Sequence, residues 1–294
     1  MLDIAQTITD SIIQQLEKGA TPWVKPWRSL RGLPGNGNPY NARKCKPYRG
    51  ANYFHLLQQP WENPGYVTFK QAIELGGNVK AGQKGTPVIY WNIQQKTGKD
   101  SEGNDAVTAV PFLKHYWVFN VEQCENLTLP EIEKTPEPDW NPESNVMALV
   151  DRLDLAGGLT HGGDSAFYVP SRDCITMPAM AAFNSPENYH ATLLHESIHA
   201  TGHDSRLKRL TPARFGSEEY AYEELVAELG AAMLCSQCGI NGDLRHAGYI
   251  ESWLKALKND KKFILSASAK AQQAMDFLIK TEQVEVEQDE ALAA

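Results

Sequence analysis

The sequence contains no long hydrophobic run. No apolar stretch approaches the roughly 20 residues that a helix needs to cross a bilayer, and residues 1–6 lack a basic region followed by an apolar one, as a secretory signal would require. Hydrophobic residues make up 42% of the 294 residues, an ordinary share for a globular protein. These features argue against a membrane partner, and we expect a soluble, cytoplasmic protein.

Cysteine is also scarce. The chain has five cysteines, an odd number scattered along the sequence, which argues against a disulfide framework. Cys235 and Cys238 form a C-x-x-C pair at the end of a predicted helix, but no second pair completes a zinc site of that type. We therefore interpret both as reduced thiols near a core.

Charge is unevenly divided, although the net charge is only −8. Residues 1–125 carry 14 Lys and Arg against 10 Asp and Glu, whereas the remaining residues carry 14 against 26. From residue 18 to residue 99 there are 13 basic residues and only two acidic ones. This asymmetry indicates two domains with different partners. We predict domains at 1–125 and 144–294, joined by a proline-rich, acidic linker at 126–143.

The first domain is predicted to be a small α+β unit. Apolar residues at helical spacing predict a helix over residues 3–18. Residues 66–69 read as a strand, and strands at 87–91 and 109–119 are expected to pair as a hairpin around a polar loop at 94–105.

Cationic and aromatic residues alternate between residues 21 and 54. Such a surface suits single-stranded DNA, because Lys and Arg neutralise phosphates and exposed rings stack on bases, at about 1–3 kcal/mol per base. We expect Trp23 and Trp27 to be mainly buried. The residues predicted to contact DNA lie later in this segment and in a second cationic turn: Arg43, Lys44, Lys46, Tyr48, Arg49, Lys80 and Lys84.

The motif with the clearest chemistry is His-Glu-Ser-Ile-His at residues 195–199. On a helix, four residues make about one turn, so His195 and His199 project from the same face and can grip a zinc ion. Glu196 lies close to that face and can take a proton from a water molecule there. The pattern predicts a metal-dependent hydrolytic site.

A catalytic zinc site needs a third protein ligand. One class of such proteins supplies a histidine six positions after the second histidine, but Ser205 occupies that position, and the nearby His203 falls at the fourth. We therefore assign Glu224, on a predicted helix over residues 217–235, as the third ligand. Glu228 lies one turn further on, and we expect it to accept the spare N–H group of a ligand histidine.

Other elements surround this motif. A helix is predicted over residues 143–155, and two short strands at 166–178 precede the metal-binding helix, where a zinc peptidase would align an extended peptide by main-chain pairing. Further amphipathic helices are predicted over 249–258 and 263–279, and residues 282–294 form an acidic tail.

Together these segments resemble the ArdC-type antirestriction proteins of conjugative plasmids over nearly the whole chain. In the first half the resemblance rests on residues 22–27, 48–52, 68–72, 82–85 and 118–121. In the second half it rests on residues 194–199, 201–203, 206–207 and 220–229. The pieces are short, and their combination is what makes the resemblance specific.

The resemblance implies a domain that binds single-stranded DNA, followed by a zincin-like metallopeptidase domain, and protection of incoming plasmid DNA from restriction. It implies His195, His199 and Glu224 as metal ligands and Glu196 as base. The expected cofactor is Zn²⁺, with Mn²⁺ or another divalent metal as the alternative. The expected fold class is α+β: a small α+β DNA-binding domain and a mainly helical zincin-like domain with a short antiparallel sheet.

Two functions remain open at this point. The first is an active metalloprotease brought to its substrate by DNA, with a host restriction-related protein as its substrate or target. The second is a non-proteolytic protein that coats single-stranded DNA and uses the metal domain as a structural or partner-recognition module. A protease would also need a group that polarises the substrate carbonyl. Tyr220 and Tyr222 are both candidates, and the sequence does not choose between them.

Overall fold

The computed structural model describes residues 3–19, 22–23, 37–99, 105–130, 142–214, 216–240, 242 and 249–279. The helices in these ranges are α1 (Ile4–Glu17), α2 (Gly50–Leu57), α3 (Phe69–Glu74), α4 (Pro142–Asp151), α5 (Pro186–Thr201), α6 (Glu218–Cys238), α7 (Ile250–Asn259) and α8 (Phe263–Ile279). The strands are β1 (Tyr40–Asn41), β2 (Lys46–Pro47), β3 (Gly65–Val67), β4 (Asn78–Val79), β5 (Thr86–Lys99), β6 (Asp105–Asn120), β7 (Cys124–Glu125), β8 (Gly158–His161), β9 (Phe167–Val169) and β10 (Cys174–Met177). The fold class is α+β, as predicted.

The first helix, α1, follows directly from local sequence. The side chain of Asp3 accepts a hydrogen bond from the backbone N–H of Gln6 and so caps the helix start. Ile8 and Ile12 are buried on one face, as the apolar spacing predicted. The helix ends before Gly19, which has the positive φ of 74° that glycine tolerates.

The N-terminal half is built on a five-stranded sheet with the order β2-β1-β3-β6-β5. Its longest part is the antiparallel hairpin of β5 and β6, whose register runs from Thr86 opposite Val118 to Lys99 opposite Asp105. The sequence predicted a polar loop over residues 94–105. In the structure, however, strand pairing continues through Lys99 despite the polar composition. Continuous ladder hydrogen bonds outweigh the weak strand propensity of single residues.

The C-terminal half combines helices with a three-stranded sheet of order β8-β10-β9. Strands β9 and β10 are antiparallel, as predicted, and β8 adds a parallel strand that the sequence did not reveal. Helix α4 ends at Asp151, four residues before its predicted end, and Asp154 then adopts a positive φ of 48°. Strand β9 lies at an edge of this sheet and packs beside α5.

One continuous hydrophobic core joins elements from both halves of the chain. It contains Ile8 and Phe54 from the first half together with Leu225, Trp253 and Leu265 from the second. Helix α1 packs against α7, and α2 packs against α8. The N-terminal helices therefore complete the core of the helical half.

Several predicted features can be placed directly and others cannot. Trp23 is buried, as predicted, with 2% of its surface exposed. Trp27, residues 131–141 of the predicted linker and the tail at 282–294 lie outside the described residues. Of the helices in the described part of the chain, none has the length and apolar character required to span a membrane.

Candidate metal centre

Helix α5 places the two histidines of the motif. Ser185 caps its start by accepting a hydrogen bond from the backbone N–H of Asn188, and Pro186 occupies the first turn. Leu194 and Ile198 are fully buried and fix the helix against the core. The histidines are one turn apart in the same helix, so its packing against the core sets the positions of both.

Helix α6 crosses α5 at close range. Gly230 lies on the contact face, and a Cβ atom there would sit 2.8 Å from Cδ1 and 2.9 Å from Cγ1 of Ile198. The missing side chain lets the two helices approach closely. This approach brings the glutamates of α6 to the histidines of α5.

The structure brings together the three predicted ligand residues. The Nε2 atoms of His195 and His199 are 3.2 Å apart. The Glu224 carboxylate lies 3.5 Å from the Nε2 atom of His195 through Oε2, and 3.6 Å from that of His199 through Oε1. Zinc bonds of about 2.0–2.2 Å in a tetrahedral arrangement place ligand atoms about 3.3–3.6 Å apart. Both the chemistry of the donors and their spacing therefore fit a zinc ion.

Glu228, predicted to lie behind one of the two histidines, lies near His195. Glu228 is fully buried, and its Oε2 atom lies 3.6 Å from Nδ1 of His195. Its other oxygen, Oε1, accepts a hydrogen bond of 3.3 Å from the indole Nε1 of Trp23. A residue of the N-terminal half therefore bonds the carboxylate that lies beside His195.

The outer partner of His199 was not predicted. Glu223 Oε1 lies 3.1 Å from Nδ1 of His199. Arg209 holds this carboxylate with two donated hydrogen bonds, 2.8 Å from Nε to Oε2 and 2.7 Å from Nη2 to Oε1. Arg209 also donates to the carbonyl oxygen of Ile198, at 2.7 Å. Both histidines thus have a carboxylate behind them, and the second carboxylate is fixed by a buried arginine.

The loop that supplies Arg209 folds back onto the end of α5. The backbone N–H groups of Arg209 and Leu210 both donate to the carbonyl oxygen of Gly202. A Cβ at Gly202 would lie 2.8 Å from Cγ of Leu210 and 3.0 Å from Nη2 of Arg209. Glycine at this position allows the loop to close. His203, at the end of the helix, bonds Ser205 and stays outside the metal cluster.

The electrostatics of the cluster reflect its dense packing of charge. Burial alone would lower the pKa of His195, but the carboxylates of Glu224 and Glu228 outweigh this effect and raise it. Burial would raise the pKa of Glu224, whereas contacts with both histidines lower it to about 2. For Glu223, hydrogen bonds from Arg209 and His199 outweigh burial and lower the pKa. The two glutamates are therefore held ionised, which suits cation binding.

A cleft of about 910 Å³ opens onto this cluster. Glu196 is buried and lines the cleft together with the three ligand residues. Phe167 and Tyr168 of the edge strand β9 form part of its wall. Glu196 and the outer strand of the three-stranded sheet therefore share one cavity with the metal cluster.

Tyr220 and Tyr222 both line the cleft, but their hydroxyl groups have different partners. The Tyr220 hydroxyl lies 3.1 Å from that of Tyr249 and also hydrogen-bonds Glu224. Tyr222 instead pairs with the Ser266 hydroxyl at 2.6 Å. Burial raises the pKa of both Tyr220 and Tyr249, so both hydroxyls remain protonated at neutral pH. Tyr249, which the sequence did not single out, thus lies at the site with Tyr220.

The residues predicted to bind DNA belong to the N-terminal half and do not line the cleft. Arg43 forms a 2.7 Å ion pair with Glu74, and Arg49 pairs with Asp276 of α8. The Tyr48 ring packs edge-on against Tyr66. Lys44 is half-buried, whereas Lys46, Lys80 and Lys84 are exposed.

The two cysteines of the C-x-x-C pair, Cys235 and Cys238, are buried free thiols, as the sequence indicated. Burial raises the pKa of both thiols.

Residues 149–270, which contain the metal cluster, match a family described as zincin-like metallopeptidase. This places the second half of the chain in a class of metal-dependent peptidase folds, for which zinc is the expected cofactor. Residues 2–119 match the N-terminal domain of anti-restriction factor ArdC. The chain belongs to the ArdC family of antirestriction proteins.

Solved structures and curated relatives agree with this assignment. The ArdC antirestriction protein from plasmid R388 superimposes with a TM-score of 0.77 at 36% identity, covering 95% of this chain and 97% of that one, in its metal-free structure. Its Mn(II)-bound structure gives a TM-score of 0.74. The uncharacterised protein y4eC of Sinorhizobium fredii (strain NBRC 101917 / NGR234) is 34% identical over 94% of this chain and 91% of its own length.

A DNA primase, TraC of Escherichia coli, is 38% identical over 96% of this chain. The chain spans only 28% of the length of that TraC, and 20% of a second TraC from the same organism that is 36% identical. The similarity therefore concerns one part of those much longer proteins.

Proposed function

We propose that this protein binds single-stranded DNA and carries a metal-dependent peptidase site, and that it protects incoming conjugative DNA from host restriction. The peptidase activity in this proposal is inferred from the cluster of His195, His199 and Glu224, which lies in a cleft that also contains Glu196. Family membership and the cationic N-terminal half support the DNA-binding part. A host restriction-related protein is the proposed target.

The chain's own residues can perform most of the work of peptide hydrolysis. A zinc ion held by the three ligands would supply Lewis acidity for a substrate carbonyl and lower the pKa of a bound water molecule. Glu196 would accept the proton of the attacking water and pass it to the leaving amine. Tyr220 and Tyr249 are both protonated, so either can donate a hydrogen bond to a developing oxyanion, Tyr220 by turning its O–H away from Glu224.

Substrate alignment is the role proposed for strand β9. Among the described residues, β9 ends its sheet and has a strand partner on one side only, β10. An extended peptide can add to such an edge through main-chain hydrogen bonds. Because Phe167 and Tyr168 line the cleft, a peptide bound there would pass the metal cluster.

The test of peptidase activity is the substitution Glu196→Gln. It should leave metal content unchanged and abolish cleavage of fluorescently labelled casein, because the amide cannot accept the proton. Glu187→Gln, at an exposed position in the first turn of the same helix, is the matched control and should cleave normally. Undiminished cleavage by the Glu196→Gln protein would refute this part of the proposal.

The second candidate function is a DNA-coating protein whose metal domain is structural. The observation that favours it is the shared core, together with the hydrogen bond from Trp23 to Glu228, because both make the metal domain part of the N-terminal fold. Under this function, Glu196→Gln would retain protection in plasmid transfer to a restricting recipient.

Charge reversal in the N-terminal half tests the DNA binding that both candidate functions share. Reversing Lys44 and Lys46 together to Glu should abolish binding to a labelled oligonucleotide under either function, whereas reversing the exposed Lys255 and Lys262 should affect binding little. Binding by the unaltered protein should weaken steeply with salt, because it rests on phosphate neutralisation. Salt-insensitive binding would contradict the proposed DNA interface.

A further inference from the structure

An exposed apolar surface on the N-terminal half has no role in the function described so far. Phe69 and Ile73 lie one turn apart on α3, with 54% and 56% of their surfaces exposed, and Trp117 on β6 is 45% exposed. The Phe69 ring contacts that of Phe119, with 6.4 Å between the centroids. Large apolar side chains exposed side by side usually mark a binding surface.

The rings follow one face of strand β6. Val118 is fully buried, whereas Trp117 and Phe119, on either side of it, point to the opposite face. His115 continues the row, and its ring contacts that of Trp117 edge-on with 6.2 Å between the centroids. The ring pairs His115–Trp117 and Phe119–Phe69 lie on one face of the sheet and together make up an aromatic strip. Within it, Phe119 also packs against the buried core around Val67 and Ala72.

Gly85 keeps this strip open. A Cβ atom at this position would lie 3.2 Å from both Cζ of Phe119 and Cβ of Trp117. A larger residue would press on the rings or cover them, whereas glycine lets the backbone pass without a side chain. Lys84, which directly precedes Gly85, is exposed. Lys80 in the same turn is also exposed, and its ammonium group donates to the carbonyl oxygen of Glu122.

The charge of this half is positive on balance. Residues 37–99 and 105–130 contain ten Lys and Arg and five acidic residues. One of the five, Glu74 on α3, is paired with Arg43 at 2.7 Å. Lys70, next to Phe69, is exposed on the same short helix. A polyanion with flat, stackable groups complements this combination better than an apolar protein surface would.

We propose that Phe69, Trp117 and Phe119 form a base-stacking platform for single-stranded DNA, with Lys70 and Lys84 neutralising the adjacent phosphates. The proposal rests on the DNA-binding function proposed above and assigns it a second surface beyond residues 43–49. Stacking on rings requires unpaired bases, so the platform would favour single strands over duplex.

The test measures binding of a fluorescent oligothymidine by anisotropy with the full-length protein. Trp117→Ala and Phe69→Ala should each weaken binding about 5- to 150-fold, the range expected for a lost stacking contact. Trp117→Phe should recover most of the affinity. Met180→Ala, which alters a hydrophobic side chain 38% exposed in the other half, should bind normally. Circular dichroism checks that each exposed-site variant is folded.

The salt dependence of the binding constant distinguishes the contribution of ring stacking from that of phosphate neutralisation. Trp117→Ala should lower the affinity without changing the slope of log K against log salt, whereas Lys84→Ala should reduce the slope by about 0.7, the value for one phosphate contact on a single strand. If the ring variants bind like the unaltered protein while reversal of Lys44 and Lys46 abolishes binding, the platform is wrong and the DNA-binding function stands. If the unaltered protein binds no oligonucleotide, both proposals fail.

Discussion

At the scale of single residues, Trp23 connects the two halves of the chain most directly. Replacing it with Phe keeps a ring in the core but removes the N–H group that holds Glu228. Partners behind a metal ligand typically contribute 10- to 100-fold to metal affinity, and Trp23 is one contact further out, so we expect a loss of up to about tenfold. The measurement is the zinc dissociation constant by competition with a chelator.

Trp253 provides the matched control for this prediction. It is equally buried, packs edge-on against Trp23 and donates its indole N–H to the carbonyl oxygen of Ala221 in the same helix, α6. Trp253→Phe should destabilise the fold to a similar extent and leave zinc affinity unchanged. Equal affinity losses in both variants would show that Trp23 acts only through general packing.

The surroundings of Asp173 predict that the folded protein loses stability in acid. Burial alone would raise its pKa, but hydrogen bonds from Arg206 and Tyr168 outweigh burial and lower the pKa from 3.8 to about 2. Since the unfolded chain binds the proton more tightly, the stabilisation is fully present above about pH 4 and is lost as the pH falls through 2. It amounts to about 2 kcal/mol.

Asp173→Asn should therefore lower the free energy of unfolding by about 2 kcal/mol at pH 7 and by about half as much near pH 3, measured by urea denaturation in the presence of a chelator. Asp154→Asn is the control, because the two residues have nearly the same backbone φ, 48° and 46°, and Asp154 is exposed. It should change stability by less than about 0.5 kcal/mol at both pH values. A pH-independent loss in the Asp173 variant would contradict the electrostatic explanation.

Sequence reasoning located some of these residues and missed others for a physical reason. His195, His199 and Glu224 meet as predicted, since helical spacing and the chemistry of zinc constrain where ligands can lie. Arg209 and Tyr249 reach the site from a loop and from the start of another helix. No periodicity links such positions, and only the packing of α5, α6 and α7 brings them together.

At the scale of elements, the crossing of α5 and α6 depends on Gly230. Gly230→Ala would gain about 1 kcal/mol of helix propensity, but its Cβ would overlap Ile198, and overpacking of this kind costs about 1–3 kcal/mol. We expect net destabilisation and weaker zinc binding, because α6 carries Glu224 away from the histidines. Thermal unfolding and chelator competition measure the two effects.

A double substitution tests whether the overlap of the new Cβ with Ile198 causes the destabilisation. Ile198→Val alone should destabilise the protein by about 1 kcal/mol, since it removes a buried methyl group. In the Gly230→Ala background the same change should cost less than it does alone, because it removes Cδ1, one of three Ile198 atoms that lie within 3.1 Å of the new Cβ. Additive losses would place the cause elsewhere.

The bounds of a helix could be predicted from the sequence where apolar residues recur at helical spacing. Helix α8 has its predicted bounds, and α1 and α7 differ by one residue at either end. Strand β8 was missed because its glycine-rich sequence has no strand pattern, and its pairing with β10 is non-local. Local propensity cannot report a partner that lies distant in the sequence.

At the scale of the whole molecule, the shared core predicts one cooperative unfolding transition. Ile8→Ala removes a fully buried side chain from the N-terminal helix α1 and should cost about 2–5 kcal/mol. Because α1 packs against α7, hydrogen exchange of α5 and α6 should accelerate by the same free energy as that of α2. Hydrogen exchange with mass spectrometry makes the comparison.

Leu129→Ala is the control for this experiment, since that residue is 36% exposed in the same half of the chain. It should leave exchange in both halves nearly unchanged. Two separate transitions, with Ile8→Ala affecting only the N-terminal residues, would show that the halves unfold independently.

The packing of α2 on α8 has a consequence for how this protein can be rearranged. The last described helix of the chain covers the helix that follows its first strands, so a fragment cut between the halves would expose apolar surface on both pieces. Grafting either piece onto another scaffold would require its missing counterpart. The match to TraC takes in 96% of this chain at once, so both halves are present together in that longer protein as well.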